Sequence, residues 1–156
     1  MASTETFGLV LYLDSGGASP NAYTAMAGVT NIGGLFSFDR SIIDTSLISA
    51  EVKTFLAGQL DPGAVDFECL FDPGNEATHG DVSGLIYTMK TRGLFDWCLK
   101  IPASTAAGAV ATYMYFQGVT TAVSPSGAQD DVVRASCSIK MSGLPVFTTT
   151  APTLAP

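Results

Sequence analysis

Apolar residues along this chain recur mostly at every second position. The longest such run is Val133, Ala135, Cys137, Ile139 and Met141, interleaved with Arg134, Ser136, Ser138, Lys140 and Ser142. A period of two sends alternate side chains to opposite faces, so the run predicts a β-strand with one apolar and one polar face. Val65, Phe67 and Cys69 alternate with Asp66 and Glu68 in the same way. Trp97, Leu99 and Ile101 alternate with Cys98 and Lys100 until Pro102 ends the strand. Further strands are predicted over residues 8–13, 23–32, 111–117 and 119–123, the last two broken by Gly118. Residues 38–45 read as extended and residues 49–57 as a strand or a short helix. Asp61-Pro62-Gly63 is the clearest turn: Pro presets φ near −65° and Gly supplies the positive φ of a type II turn.

One stretch follows a different period. Val82, Leu85, Ile86 and Met89 fall at i, i+3, i+4 and i+7, which predicts a helix over about residues 76–92. Asn75 or Thr78 would cap its start, Lys90 and Arg92 would face the negative end of its dipole, and Gly93 would stop it. A single helix beside many strands would close one open side of the sheet. The fold class is therefore mainly β, a sandwich or barrel-like arrangement with one flanking helix, in one domain spanning 1–156 with flexible arms at about 1–6 and 148–156. Residues 31–40, containing Asn31, Gly33, Gly34, Phe36, Phe38 and Arg40, read as a long excursion that reaches toward a neighbour.

Composition sharpens this picture. In 156 residues, 47% are hydrophobic and only 13% charged, about half the charged share of an ordinary soluble domain. A surface so short of charge suits a protein whose exterior is buried against further copies of itself. The net charge of −7 argues against gripping nucleic acid, which takes Lys and Arg against phosphates. It does not argue against a wall past which DNA slides. Cys69, Cys98 and Cys137 form no Cys-x-x-Cys pair and read as small hydrophobes in a reducing cytosol. The apolar run 7–13 is too short to span a bilayer, so no membrane role is expected.

Candidate chemistry is sparse. Residues 9–16 end in Asp14-Ser15-Gly16 and resemble the hydrophobic-Asp-Ser/Thr-Gly signature of retroviral-type aspartic proteases, in which two aspartates share a proton. Gly17 departs from that pattern, the nearest downstream partner is Met141-Ser142-Gly143, and a strand running into a glycine turn produces the same letters. His79 is the only histidine, and no Gly-x-Ser-x-Gly elbow accompanies it. A zinc site from His79 and the three cysteines has the ligand types but no close ligand pair. No phosphate loop, dinucleotide fingerprint or calcium loop occurs, so no catalytic, cofactor or metal residues are predicted. Asp66 and Glu68 share the wet face of one strand, and Asp130-Asp131 belongs to the turn before the last. Tyr113, Tyr115 and Phe116 lack the interleaved basic residues of a base-stacking surface.

Taken together, Asp44, Thr45 and Leu47, then Gly58, Asp61 and Gly63, then the 67–71 strand, the Ala77-Thr78-His79 segment, the Trp97 strand and Ser142-Gly143-Leu144-Pro145 occur in an order that resembles the major tail tube proteins of long-tailed (siphovirus-type) bacteriophages. The resemblance runs from about residue 23 to 146. It implies six copies in a ring, rings stacked into a hollow tail, and assembly in the host bacterial cytoplasm around a tape-measure protein. Tail tip and tail terminator proteins would meet the tube's ends, and double-stranded DNA would leave through it without specific binding. Asp66 and Glu68 are then expected to face the lumen, and Asn31, Gly33, Gly34, Phe36, Phe38 and Arg40 to join stacked rings. The tube of a contractile tail or type VI secretion machine, and a head decoration protein, are the related alternatives.

Overall fold

The computed structural model describes residues 8–14, 23–76, 78–81, 83–103 and 110–154. The arm expected at 1–6 and the glycine turn at 15–17 lie outside them. The elements, in chain order, are β1 (Val10–Asp14), β2 (Thr24–Ala25), β3 (Val29–Gly34), β4 (Asp39–Asp44), β5 (Phe55–Asp61), β6 (Ala64–Leu70), α1 (Leu85–Lys90), β7 (Phe95–Ile101), β8 (Thr112–Ser126) and β9 (Arg134–Thr148). Seven strands form one antiparallel sheet in the order β2-β1-β7-β8-β9-β6-β3, and β4 and β5 form a separate two-stranded hairpin. The sheet curls into a half-barrel.

The period-two pattern decides which face is inside. Leu11 and Leu13 of β1, Trp97 and Leu99 of β7, Met114 and Phe116 of β8, Ala135, Cys137, Ile139 and Met141 of β9, and Val65, Phe67 and Cys69 of β6 make one buried cluster. Each large side chain so buried contributes about 1.5–3 kcal/mol. Leu85 of α1 enters the same cluster, and Thr88 beside it lies 2.9 Å from Thr120 of β8, oxygen to oxygen. On the opposite face of β1 and β7, Tyr12, Cys98 and Tyr23 form a second, smaller cluster with Val10, Tyr113 and Tyr115 packed against it. Both faces of β7 are therefore buried.

Four elements differ from the sequence expectation. The helix spans only Leu85–Lys90, not 76–92, and of its stripe Leu85 is buried whereas Met89 is 45% exposed. Glycines upstream account for this. A Cβ at Gly84 would stand 2.5 Å from Gly80 N, so the chain there is wound tighter than side chains allow. Upstream, Asn75 O accepts from the amides of Thr78, His79 and Gly80 in a closed turn that does not run on into α1. Gly118 does not break a strand, because β8 runs through it. A Cβ at Gly118 would lie 2.7 Å from Ile139 Cγ2, so the glycine serves close approach of β9. The strand expected at 23–32 is split at Gly28, whose φ of 71° turns the chain from β2 into β3. Asn31, Gly33 and Gly34 are consequently not a loop: they belong to β3, which pairs with β6. Gly63 has φ 84°, as the Asp-Pro-Gly turn requires, but the strands it joins lie in different sheets.

Candidate functional site

Three surfaces stand out. The first is the wet face of the half-sheet β3-β6-β9-β8. The alternation that buries Val65, Phe67 and Ile139 turns Asp66, Glu68, Ser136 and Ser138 outward. With Asn31 and Gly33 of β3 and Ala122 and Ser124 of β8 they line an open groove of about 390 Å³. Ser138 Oγ donates to Asp66 Oδ1 at 2.7 Å. Arg134 and Lys140 project from the same face of β9, so the face is mixed in sign. Lys140 Nζ, however, lies 2.8 Å from Asp61 Oδ1 at the end of β5. That hydrogen bond, with the amide of Gly63 second, holds the Asp61 carboxyl below the usual carboxylate range.

The second surface is the β4–β5 hairpin. Its strands pair with each other and not, among the described residues, with a strand of the main sheet, to which Asp61 at the end of β5 is tied by Lys140. Ile42 and Ile43, and again Phe55 and Leu56, are chain neighbours and so point to opposite faces, yet all four are exposed. At the connecting turn Leu47 and Val52 are exposed and Ile48 reaches 107%. Arg40 is used inside the hairpin, where its guanidinium donates to Gly58 O at 3.0 Å. Phe36 and Phe38 lie at the hairpin's root with ring centroids 4.8 Å apart, and Phe36 meets Phe147 of β9 edge-on at 5.7 Å. The sequence expectation of an extended stretch over 38–45 and a strand or short helix over 49–57 did not include the hairpin's exposed apolar surface. The available signal was the doublets Ile42-Ile43, Leu47-Ile48 and Phe55-Leu56: neighbours of one strand cannot both face one core.

The third surface is the pair of sheet edges. Among the described residues no strand pairs with the outer edge of β3. At the β2 end, Tyr23 N–H donates to Thr153 O at 2.8 Å, and Leu154 pairs with Tyr23 in a parallel bridge. Where a flexible arm is expected at 148–156, residues 149–154 therefore run across the sheet, with the Tyr115 hydroxyl donating to Thr150 O at 2.8 Å.

The remaining candidates do not converge. Asp14 closes β1 opposite Asp96 of β7 and is 5% exposed; Ser15, Gly16 and Gly17 lie outside the described residues. His79 is buried, stacks on Phe71, and accepts the Asp72 N–H at Nδ1. Burial pushes the Cys98 thiol up to about 12. Cys137 is raised first by its hydrogen bond to Cys69 and then by burial, so neither is poised as a nucleophile. Among the described residues no three His, Cys, Asp or Glu side chains group as metal ligands, and no helix is long and apolar enough to cross a membrane.

The profile of the family described as phage tail tube, lambda-like, matches residues 2–151. No protein of curated function matches the chain in sequence. Among solved structures, the chain is similar to the tail of an empty GTA particle refined helically with C6 symmetry, at 13% identity and a TM-score of 0.59, covering 90% of this chain and 95% of that one. It is also similar to a chain of the PVC contractile injection system's sheath/tube terminator, at 8% identity and a TM-score of 0.59, covering 91% and 94%. A chain of the anti-feeding prophage baseplate matches at 8% identity and a TM-score of 0.57, covering 90% and 91%. At such identities these likenesses concern the fold.

Proposed function

The chain belongs to the lambda-like phage tail tube family and is a structural protein of the virion tail; on that premise we propose that six copies close into a ring and that rings stack through the β4–β5 hairpin into the hollow wall of the tail. The carrying observation is the hairpin itself. A two-stranded hairpin is marginal alone in water, and this one exposes seven large apolar side chains, Ile42, Ile43, Leu47, Ile48, Val52, Phe55 and Leu56, on both faces. A monomer gains nothing from them. A neighbouring copy that covers them gains the transfer free energy of each.

The groove face of β3, β6, β9 and β8 is the surface assigned to the lumen, with Asp66 and Glu68 upon it. Asp66 and Glu68 offset the cations Arg134 and Lys140 of this face, the latter tied to Asp61, so the face offers DNA no net cationic grip, and six copies multiply the chain's charge of −7 around the channel. Phe36 and Phe38, exposed at the hairpin's root, join the contacts between rings. Asn31, Gly33 and Gly34 join them along the open β3 edge, which would be a hazard in a free monomer. Arg40 contributes by bracing the hairpin. The tape-measure protein fills the channel during assembly, and the tail tip and tail terminator proteins meet its ends. In this role the chain carries no catalytic step, and Asp14 serves to end a strand. Negative-stain electron microscopy of the purified chain, over a range of concentration and salt, tests the reading. Hollow tubes or rings with six-fold symmetry are expected, and compact particles without a hole at every condition would overturn it.

A further inference from the structure

The outer face of β1, β7 and β8 carries an aromatic surface that the tube reading does not use. Tyr12, Tyr23, Tyr113 and Tyr115 gather there around Cys98, and Tyr23 meets Tyr115 edge-on with ring centroids 5.9 Å apart. The segment Ala151-Pro152-Thr153-Leu154 crosses this surface after leaving the end of β9. Pro152 fixes φ and favours an extended chain, which is the form in which Pro-containing peptides dock on aromatic grooves.

We propose that this tyrosine surface is a docking site for the C-terminal segment, filled by the chain's own residues in the free protein and by the segment of a neighbouring copy in the assembled tube. The proposal rests on the tube reading and names the partner of one of its contacts. The structure displays the fit directly, since the occupant is already seated. Its backbone is held at both ends, by Tyr115 to Thr150 O and by Tyr23 to Thr153 O.

Three observations favour exchange over a permanent internal tie. Among the described residues the internal pairing is short: a one-residue bridge at Tyr23, which includes its N–H to Thr153 O, and the Tyr115 hydroxyl to Thr150 O. Its apolar anchor Leu154 is still 57% exposed, so a second wall packed over it would bury what the internal contact leaves wet. The tie also occupies Tyr23 N–H, a donor at the β2 end of the sheet, and that is the end an adjoining copy must meet if sheets continue around a ring. Val146 and Phe147, which lead into the segment, are exposed as well. Exchange of an identical segment between copies replaces each contact with its equivalent and needs only a hinge, here Thr149 between the end of β9 and the seated segment.

The experiment uses the full chain. Two single variants, Thr24→Cys and Leu154→Cys, are mixed, assembled into tubes, and treated with a short bis-maleimide cross-linker. The double variant Thr24→Cys/Leu154→Cys, treated as dilute monomer, reports the internal contact. Cys69, Cys98 and Cys137 are buried, and the unmutated chain controls for them. Exchange predicts cross-linked dimers in the mixed tubes, and cross-links within one chain in the monomeric double variant. Mixed tubes that yield no dimers, while the double variant cross-links internally, would overturn the exchange. Failure of the unmutated chain to form tubes would instead defeat the tube reading on which the exchange rests, and is scored separately by microscopy.

Discussion

Truncation of the hairpin tip, Leu47→Ala with Ile48→Ala, separates an assembly surface from a folding core. In the free chain Leu47 is 72% and Ile48 107% exposed, so neither adds measurably to monomer stability, and the thermal midpoint is expected to hold within the small range of surface substitutions. In a tube each would pass from water into contact. Full burial of such a side chain is worth about 1.5–3 kcal/mol, and cutting both to Ala removes about 2 kcal/mol each, roughly 4 kcal/mol per copy. At about 1.4 kcal/mol per tenfold, the critical concentration for tube growth should rise by between two and three orders of magnitude. Sedimentation or light scattering against protein concentration measures that threshold, and a thermal melt of the dilute monomer measures the fold. An unchanged threshold with an intact fold would refute the assignment of the hairpin as the contact. A large fall in the midpoint would refute the claim that these residues lie outside the core.

Other perturbations probe the lumen and the wall. Asp66→Lys with Glu68→Lys places cations on the groove face and should leave assembly intact while slowing DNA ejection from reconstituted virions; ejection at the normal rate would remove these residues from the lumen. Gly118→Ala sets a Cβ 2.7 Å from Ile139 Cγ2 and 2.9 Å from Lys140 O, an overpacking that costs about 1–3 kcal/mol. At roughly 2–4 °C per kcal/mol for a chain of this size, calorimetry should record a drop of roughly 2–12 °C. Lys140→Met removes the first cause of the lowered Asp61 carboxyl, and NMR titration should find it closer to the ordinary range. Because the folded-state value lies below the unfolded one of about 3.9, whatever stability this group lends is present above that pH and lost as pH falls through the folded value. The pair is exposed, so the midpoint of Lys140→Met at neutral pH should barely move.

Strand legibility followed burial. The runs around Val65 and Ala135 each have one packed and one wet face, and the alternation in the sequence is the same alternation seen in space. The run around Trp97 does form a strand, but both its faces are buried, because a second cluster of Tyr12, Tyr23 and Cys98 covers the face that the alternation marked as polar. The helix was over-read for a related reason. Val82, Leu85, Ile86 and Met89 keep helical spacing, but spacing registers only apolar side chains and is blind to Gly80 and Gly84, where the backbone itself packs too closely for a helical turn. Gly118 was misread because the residue that shapes it, Ile139, is distant in the chain.

By itself the sequence determined that the protein is mainly β, that its strands have one apolar face, that Asp66 and Glu68 lie on the other, that Gly63 turns the chain, and that the surface is poor in charge. These are properties of one residue and its near neighbours, set by side-chain period, φ preference and composition. Only the tertiary structure decided that 39–61 stands off as a hairpin, that Asn31, Gly33 and Gly34 form an edge strand, that β8 runs through Gly118 alongside β9, and that the C-terminal segment crosses to Tyr23. Each of these depends on which strand lies beside which. Such pairings are selected by contacts between residues far apart in the chain; the apolar doublets of 42–56 mark a segment with two apolar faces, but no local pattern says which strand lies beside it.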